Sequence, residues 1–221
     1  MSRPVFADRV DAGRGLAAVL ADQVAPELGQ RALALGLPRG GVPVAAEVAR
    51  TLGLPLDVIL VRKLGVPGHE ELAMGAIGED GVRVLNDDVV RHAGVTEAVL
   101  ERVERRERTE LERRARVYRG AAPRRDLTGR TVIVVDDGVA TGATARAACA
   151  VARAHGAARI VLATPVAPLG WEHDVAGAAD RFVAVHTPVG FGGVGQYYAD
   201  FRQTSDAEVV ATLAEQRRRV R

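Results

Sequence analysis

Apolar and polar positions along this chain change period several times, and each change marks an element. Leu16, Val19 and Leu20 share one face of the stretch from Asp8 to Val24, which predicts a helix. The short apolar run Ala32 to Leu37 predicts a strand, Pro38-Arg39-Gly40-Gly41 breaks it, and Pro43 suits the first turn of a helix reaching about Thr51. Leu56 to Val61 reads as a second buried strand, so the three segments make a βαβ unit and imply a parallel sheet. Gly65 to Gly81, rich in Gly and containing Pro67, reads as a loop or loose hairpin. Val82 to Leu85 is one strand of that hairpin and Glu79-Asp80-Gly81 its turn. Thr96 to Arg119 predicts a long charged helix with Thr96 as N-cap. Thr131 to Val135 is the clearest buried strand, followed by a Gly-rich turn and an Ala-rich helix from Ala143 to His155. Arg159 to Thr164 and Arg181 to His186 read as further strands, Gly190 to Gly195 as a glycine-rich loop, and Asp206 to Arg219 as a C-terminal helix with Asp206 as its N-cap. The fold class is therefore α/β, with a parallel sheet.

Composition narrows the picture. A chain of 221 residues with 48% hydrophobic content suits one α/β domain over residues 1–221, with or without a small lid, and its 4% aromatic content leaves the packing to Ala, Val and Leu. No apolar run approaches the roughly 20 residues of a membrane span, and Met1 to Arg9 is charged and lacks the apolar stretch of a signal peptide. Cys149 is the only cysteine, which excludes a disulfide framework and a cysteine-rich zinc site. It reads as a small buried apolar residue, and a cytoplasmic location is expected. A net charge of +2 is too mild to argue for nucleic acid. In the charged helix Glu101, Arg105, Arg108 and Glu112 interleave, which suits a solvated surface helix or a dimer contact. The glutamates cancel the arginines that a nucleic-acid helix needs. Of 30 Lys and Arg residues, Lys63 is the only lysine.

The chemistry lies in T-V-I-V-V-D-D-G-V-A-T-G-A-T, Thr131 to Thr144. A strand ends in Asp136 and Asp137, beyond the carboxyl end of a parallel sheet, where ligands of such sheets bind. The loop then opens a helix whose first N–H groups lack partners. Gly142 lets the backbone approach an anion, and Thr141 and Thr144 offer hydroxyls, so the segment is a phosphate cradle. It lacks the lysine of a Walker A loop. Carboxylates beside a phosphate cradle suit a ligand with a phosphate and a diol, as in a ribose 5-phosphate.

Val132 to Thr144 resembles the binding motif for 5-phosphoribosyl-1-pyrophosphate (PRPP) of the type I phosphoribosyltransferases: four apolar residues, two acidic ones, and a run ending in T-G-x-T. The resemblance covers about Arg31 to Val166. It implies that Asp136 and Asp137 bind the ribose hydroxyls, with Ala140, Thr141, Gly142, Ala143 and Thr144 around the 5′-phosphate. It also implies that Arg39, Gly40 and Gly41 form the pyrophosphate loop, a place where the family often holds a non-proline cis peptide. Arg62 and Lys63, at the end of the next strand, match the family's basic residue facing pyrophosphate. Lysine is a compact point charge that arginine does not freely replace. Implied further are Mg2+, held by Asp136 and Asp137 directly or through water, a flexible loop at about Gly65 to Gly81, and a hood built from the N-terminal residues and about Pro165 to Asp206. The activity implied is transfer of phosphoribose to a nitrogen acceptor with release of pyrophosphate. A PRPP-sensing regulator without transfer is the alternative, and dimers are common in the family. The 6-oxopurine enzymes carry an aspartate immediately before the T-G pair. Here that position is Ala140, which counts against hypoxanthine, guanine or xanthine as acceptor.

Two stretches stay open. Gly190 to Gly195 formally spells G-x-G-x-x-G, but Gln196-Tyr197-Tyr198 does not start a dinucleotide-binding helix, so a hood or lid loop is expected. Phe191, Tyr197, Tyr198 or Phe201 then either stack on a base or pack the core. His69, Glu70 and Glu71 either close over substrate or are a solvated loop, whereas Trp171 and His173 read as packing residues.

Overall fold

The computed structural model describes residues 4–219 apart from 25, 27, 30 and 121. Positions 1–3 and 220–221, at the ends of the expected domain, and the side chain of Glu71 lie outside the described residues. The central sheet is parallel and holds β1 (Leu33–Gly36), β2 (Leu56–Val58), β6 (Thr131–Val135), β7 (Arg159–Val166) and β8 (Arg181–His186) in the order β2-β1-β6-β7-β8. Both faces are covered, so β1 and the run Val132 to Val135 of β6 are apolar on both sides rather than alternating. Ile133 and Val135 of β6 pack into one cluster with α1 (Arg9–Gln23) and α2 (Gly41–Leu52). Val132 and Val134 pack into the other with α5 (Ala143–Ala154). Trp171, in the short α6 (Trp171–Asp174), is buried in that second cluster with its ring edge-on to Phe182.

The segment expected to be a loop or loose hairpin is an antiparallel sheet of β3 (Val61–Val66), β4 (His69–Gly78) and β5 (Arg83–Leu85), with the β3–β4 register shifting on either side of Gly65. Its glycines hide the strand period in the sequence. The expected turn is present: Asp80 and Gly81 have φ of 54° and 77°, and Val82 N–H donates to the Glu79 carbonyl at 3.1 Å, the geometry of a tight hairpin turn. A six-residue helix, α3 (Asp87–His92), follows without having been anticipated; the Asn86 side chain caps it by accepting from Val89 N–H at 3.2 Å.

The charged helix, α4 (Glu97–Arg119), is solvated on one face only. Leu100, Val103, Leu111 and Tyr118 are buried in the same cluster as α1, α2 and α7 (Asp206–Arg219). At its end the buried Arg119 guanidinium bonds Asp57, both oxygens of Glu79 (2.9 and 2.7 Å) and the Val58 carbonyl (2.8 Å). This ion cluster joins α4 to β2 and to the β4–β5 turn. The cap of α7 is Ser205 rather than Asp206: Ser205 Oγ accepts from Glu208 N–H (3.2 Å) while Glu208 accepts from Ser205 N–H (2.7 Å), a capping box. Asp206 instead accepts from the Tyr118 hydroxyl at 2.7 Å, tying α7 to α4. Among the described residues no helix is long and apolar enough to cross a membrane.

Truncating Arg119 strands the buried Asp57 carboxylate and the partly buried Glu79. Arg119→Ala is expected to cost about 3–5 kcal/mol in urea denaturation. A cost near that of a surface ion pair, below about 1 kcal/mol, would show that α4 is not anchored through this cluster.

Candidate active site

The sheet order sets the location. From β1 the chain crosses to β2 on one side, and from β6 to β7 on the other, so a crevice opens between the carboxyl ends of β1 and β6. The two strands are paired up to Gly36 and Val135. The loops leaving them, Pro38 to Gly41 and Asp136 to Gly142, therefore start side by side. The Pro38–Arg39 peptide is cis.

Two glycines set how closely these loops approach. A Cβ on Gly41 would lie 2.4 Å from the Val135 carbonyl oxygen, and one on Gly40 would lie 1.9 Å from Asp137 Oδ2. Any side chain at either position would push the acidic pair out of place. Asp137 Oδ2 accepts from Arg9 Nε at 2.7 Å, and the Asp137 carbonyl accepts from the Tyr198 hydroxyl at 2.5 Å. Asp136 Oδ1 accepts from the backbone N–H of Asp137 at 2.9 Å. Burial, and then the neighbouring Asp137 carboxylate, push the Asp136 carboxyl well above the usual carboxylate range. The pair is thus asymmetric: Asp137 has a cation, while Asp136 is disposed to keep a proton.

Beyond the pair, Gly142 takes φ 71°, and a Cβ there would meet Val175 Cγ1 at 2.4 Å. The first backbone bond of α5 runs from Arg146 N–H to the Gly142 carbonyl (2.8 Å). Among the described residues no backbone carbonyl meets the N–H groups of Ala140, Thr141 or Gly142. Together with the first turn of α5 they form an open set of donors at the positive end of a helix, suited to a phosphate.

Pro38, Arg62, Lys63 and Thr144 line a cleft of about 450 Å³ beside this loop, along with Glu70 of β4. Not all the expected cations face it freely. Arg62 Nε donates to Glu107 Oε2 of α4 at 2.7 Å, and the Arg39 guanidinium lies 3.7 Å from Asp206 of α7. Among the described residues no group of three or more His, Cys, Asp or Glu is placed to hold a metal ion.

Arg9 had no signal in the sequence. It is the first residue of α1, where a cation opposes the helix dipole, and its partner is 128 positions away. Its guanidinium also lies 4.1 Å from the centre of the Phe201 ring and donates to the Arg202 carbonyl at 2.7 Å. The segment before α1 runs beside the 197–200 stretch, bonded through Phe6 N–H to Tyr197 O (2.9 Å) and Ala199 N–H to Phe6 O (2.9 Å). Of the four aromatics considered for base stacking, Tyr198 is buried and packs on Phe6 and Phe201. Phe191 and Tyr197 stack on each other at 5.6 Å and stay half-buried. Gly190 to Gly193 leads into a single 3-10 turn, Val194–Tyr197, rather than a helix.

The family described as "Phosphoribosyl transferase domain" matches residues 9–191. Two curated proteins of Mycobacterium tuberculosis, from strains CDC 1551 and H37Rv and provisionally named phosphoribosyl transferases, are each 57% identical over 209 residues, or 95% of this chain and 46% of theirs. The chain therefore spans about half the length of the curated relatives it matches. The crystal structure of TT1426 from Thermus thermophilus is similar at 45% identity and a TM-score of 0.87, with 96% of this chain and 98% of that one covered. The crevice between β1 and β6, the acidic pair and the open helix start thus sit within a matched stretch that takes in most of the chain, and the chain belongs to the phosphoribosyl transferase domain family.

Proposed function

We propose that the protein transfers phosphoribose from PRPP, bound with Mg2+, to a nitrogen acceptor and releases pyrophosphate. The observation that carries this reading is the contact of the Gly40-Gly41 loop with Asp136 and Asp137 beside the open N–H groups of Ala140 to Gly142. In this reading the loop and first turn of α5, through Ala143 and Thr144, take the 5′-phosphate. Asp136 and Asp137 accept from the ribose hydroxyls. Arg39, Gly40, Gly41, Arg62 and Lys63 belong to the pyrophosphate side. Displacement at C1 through an oxocarbenium-like state needs positioning and charge stabilisation more than covalent help from the protein. The carboxylates present fit an ion that keeps most of its ligands from pyrophosphate and water, because no third ligand joins Asp136 and Asp137 among the described residues. Such an ion would offset charge on the leaving group. With Ala140 before the T-G pair, the loop carries no base for a 6-oxopurine. A cytoplasmic homodimer is part of the same proposal.

One observation favours a second reading, a PRPP-sensing regulator: Arg39 and Arg62 are engaged by Asp206 and Glu107. An enzyme must bring such cations to its leaving group, whereas a sensor need not.

Calorimetric titration of PRPP with Mg2+ tests the site. Wild type is expected to bind, and the double variant Asp136→Asn, Asp137→Asn to lose at least about 100-fold in affinity, the worth of two hydrogen bonds to charged groups at about 1.5–3 kcal/mol each. Absence of binding by folded wild type would remove the basis of the proposal. Pyrophosphate release across a panel of nucleobases separates the two readings: release with some acceptor other than hypoxanthine supports the enzyme. Binding without release on any acceptor supports the sensor, and robust turnover of hypoxanthine contradicts the reading of Ala140.

A further inference from the structure

The long charged helix has no place in the chemistry so far, yet it forms a wall of the same cleft. Along with Lys63, Pro38 and Thr144, the cleft is lined by Arg106, Glu107 and Arg114 of α4. Among the described residues lining it, four cations (Arg62, Lys63, Arg106, Arg114) face two carboxylates (Glu70, Glu107). Glu107 is buried and accepts from both Arg62 and Arg106. It offsets charge in the cleft without cancelling it. Arg114 is paired with Glu110, one turn earlier in α4 (2.8 Å), and keeps about a third of its side-chain surface exposed. Arg39 meanwhile leans toward Asp206.

We propose that α4 completes the pyrophosphate subsite, with Arg106 and Arg114 as binding residues for the phosphate oxygens of the leaving group. The inference rests on the reading of the site as a PRPP site and assigns to a helix wall part of the role expected of Arg39. The position of that wall is well determined. Leu100, Val103, Leu111 and Tyr118 hold α4 in the core, and Arg119 locks its end to Asp57 and Glu79. A rigid helix fixes where its cations are anchored, and Arg106 and Arg114 then exchange Glu107 and Glu110 for phosphate oxygens by side-chain rotation alone. Glu107 acts as a positioning residue, holding Arg62 and Arg106 at the rim until phosphate oxygens compete for them.

The test is binding of magnesium pyrophosphate and, separately, of ribose 5-phosphate to the whole chain. It compares wild type, Arg106→Gln, Arg114→Gln and the control Arg105→Gln. Arg105 sits on the same helix, is 70% exposed, pairs with Glu101 and does not line the cleft. Arg106→Gln and Arg114→Gln are each expected to weaken pyrophosphate about tenfold or more, the scale of one charge-assisted hydrogen bond. Both should leave ribose 5-phosphate affinity and melting temperature unchanged, with Arg105→Gln like wild type. Arg114→Lys should recover part of the loss, which a purely structural role would not predict. Pyrophosphate affinity equal to wild type in both Gln variants overturns the proposal, as does equal loss in the Arg105 control. If wild type binds ribose 5-phosphate but no pyrophosphate, the pyrophosphate subsite, α4 included, is wrong while the ribose 5-phosphate side stands. If it binds neither, the reading of the whole site fails.

Discussion

The site depends on one steric fact: there is no room for a side chain between the ends of β1 and β6. At Gly41 a Cβ would press on the Val135 carbonyl, and at Gly40 it would occupy the place of the Asp137 carboxylate. Because those positions are bare, the loop after β1 lies directly against the acidic pair after β6. Arg9 reaches the pair at the same place, its Nε 3.0 Å from where a Gly40 Cβ would lie and bonded to Asp137 Oδ2. The surrounding architecture serves this contact. Parallel pairing of β1 with β6 sets the register, the opposite crossovers open the crevice, and α5 begins where its unpaired N–H groups face the opening.

Electrostatics then divides the two aspartates. Adjacent carboxylates in a half-buried crevice cannot both ionise without cost. Arg9 is bonded to Asp137, and the higher proton affinity of Asp136 follows from burial and from the neighbouring Asp137 carboxylate. Among the described residues lining the cleft, cations outnumber carboxylates, and several are already engaged by Glu107 or Glu110. Much of the positive charge lining the cleft is thus held in ion pairs.

Much of this was legible from the sequence where local and tertiary preferences agree. The run of Val132 to Val135 is β-branched throughout and buried on both faces, so its strand was unambiguous. Its ending in two aspartates, and the T-G-A-T opening of α5, located the site by pattern. The β3–β4–β5 sheet was only half legible, because glycines at 65, 75 and 78 interrupt the alternation that marks a strand. The cap of α7 was misassigned by one residue because Ser205 and Asp206 are both good caps, and only the reciprocal bond with Glu208 distinguishes them. The roles of α4 and Arg9 were not legible. The apolar positions of α4 are sparse among charges, and the Arg9–Asp137 pair joins residues 128 apart, a separation that no local period reports.

The central claim is that a phosphoribosyl ligand lies across the crevice between β1 and β6. The most direct measurement is a crystal structure of the protein grown with PRPP and Mg2+. The account predicts the 5′-phosphate within hydrogen-bond distance of the N–H groups of Ala140 to Thr144, the ribose hydroxyls on Asp136 and Asp137, and the pyrophosphate beside Gly40, Gly41 and Lys63. Ligand density at another part of the surface, with the Arg9–Asp137 pair and the α5 start unoccupied, would contradict it.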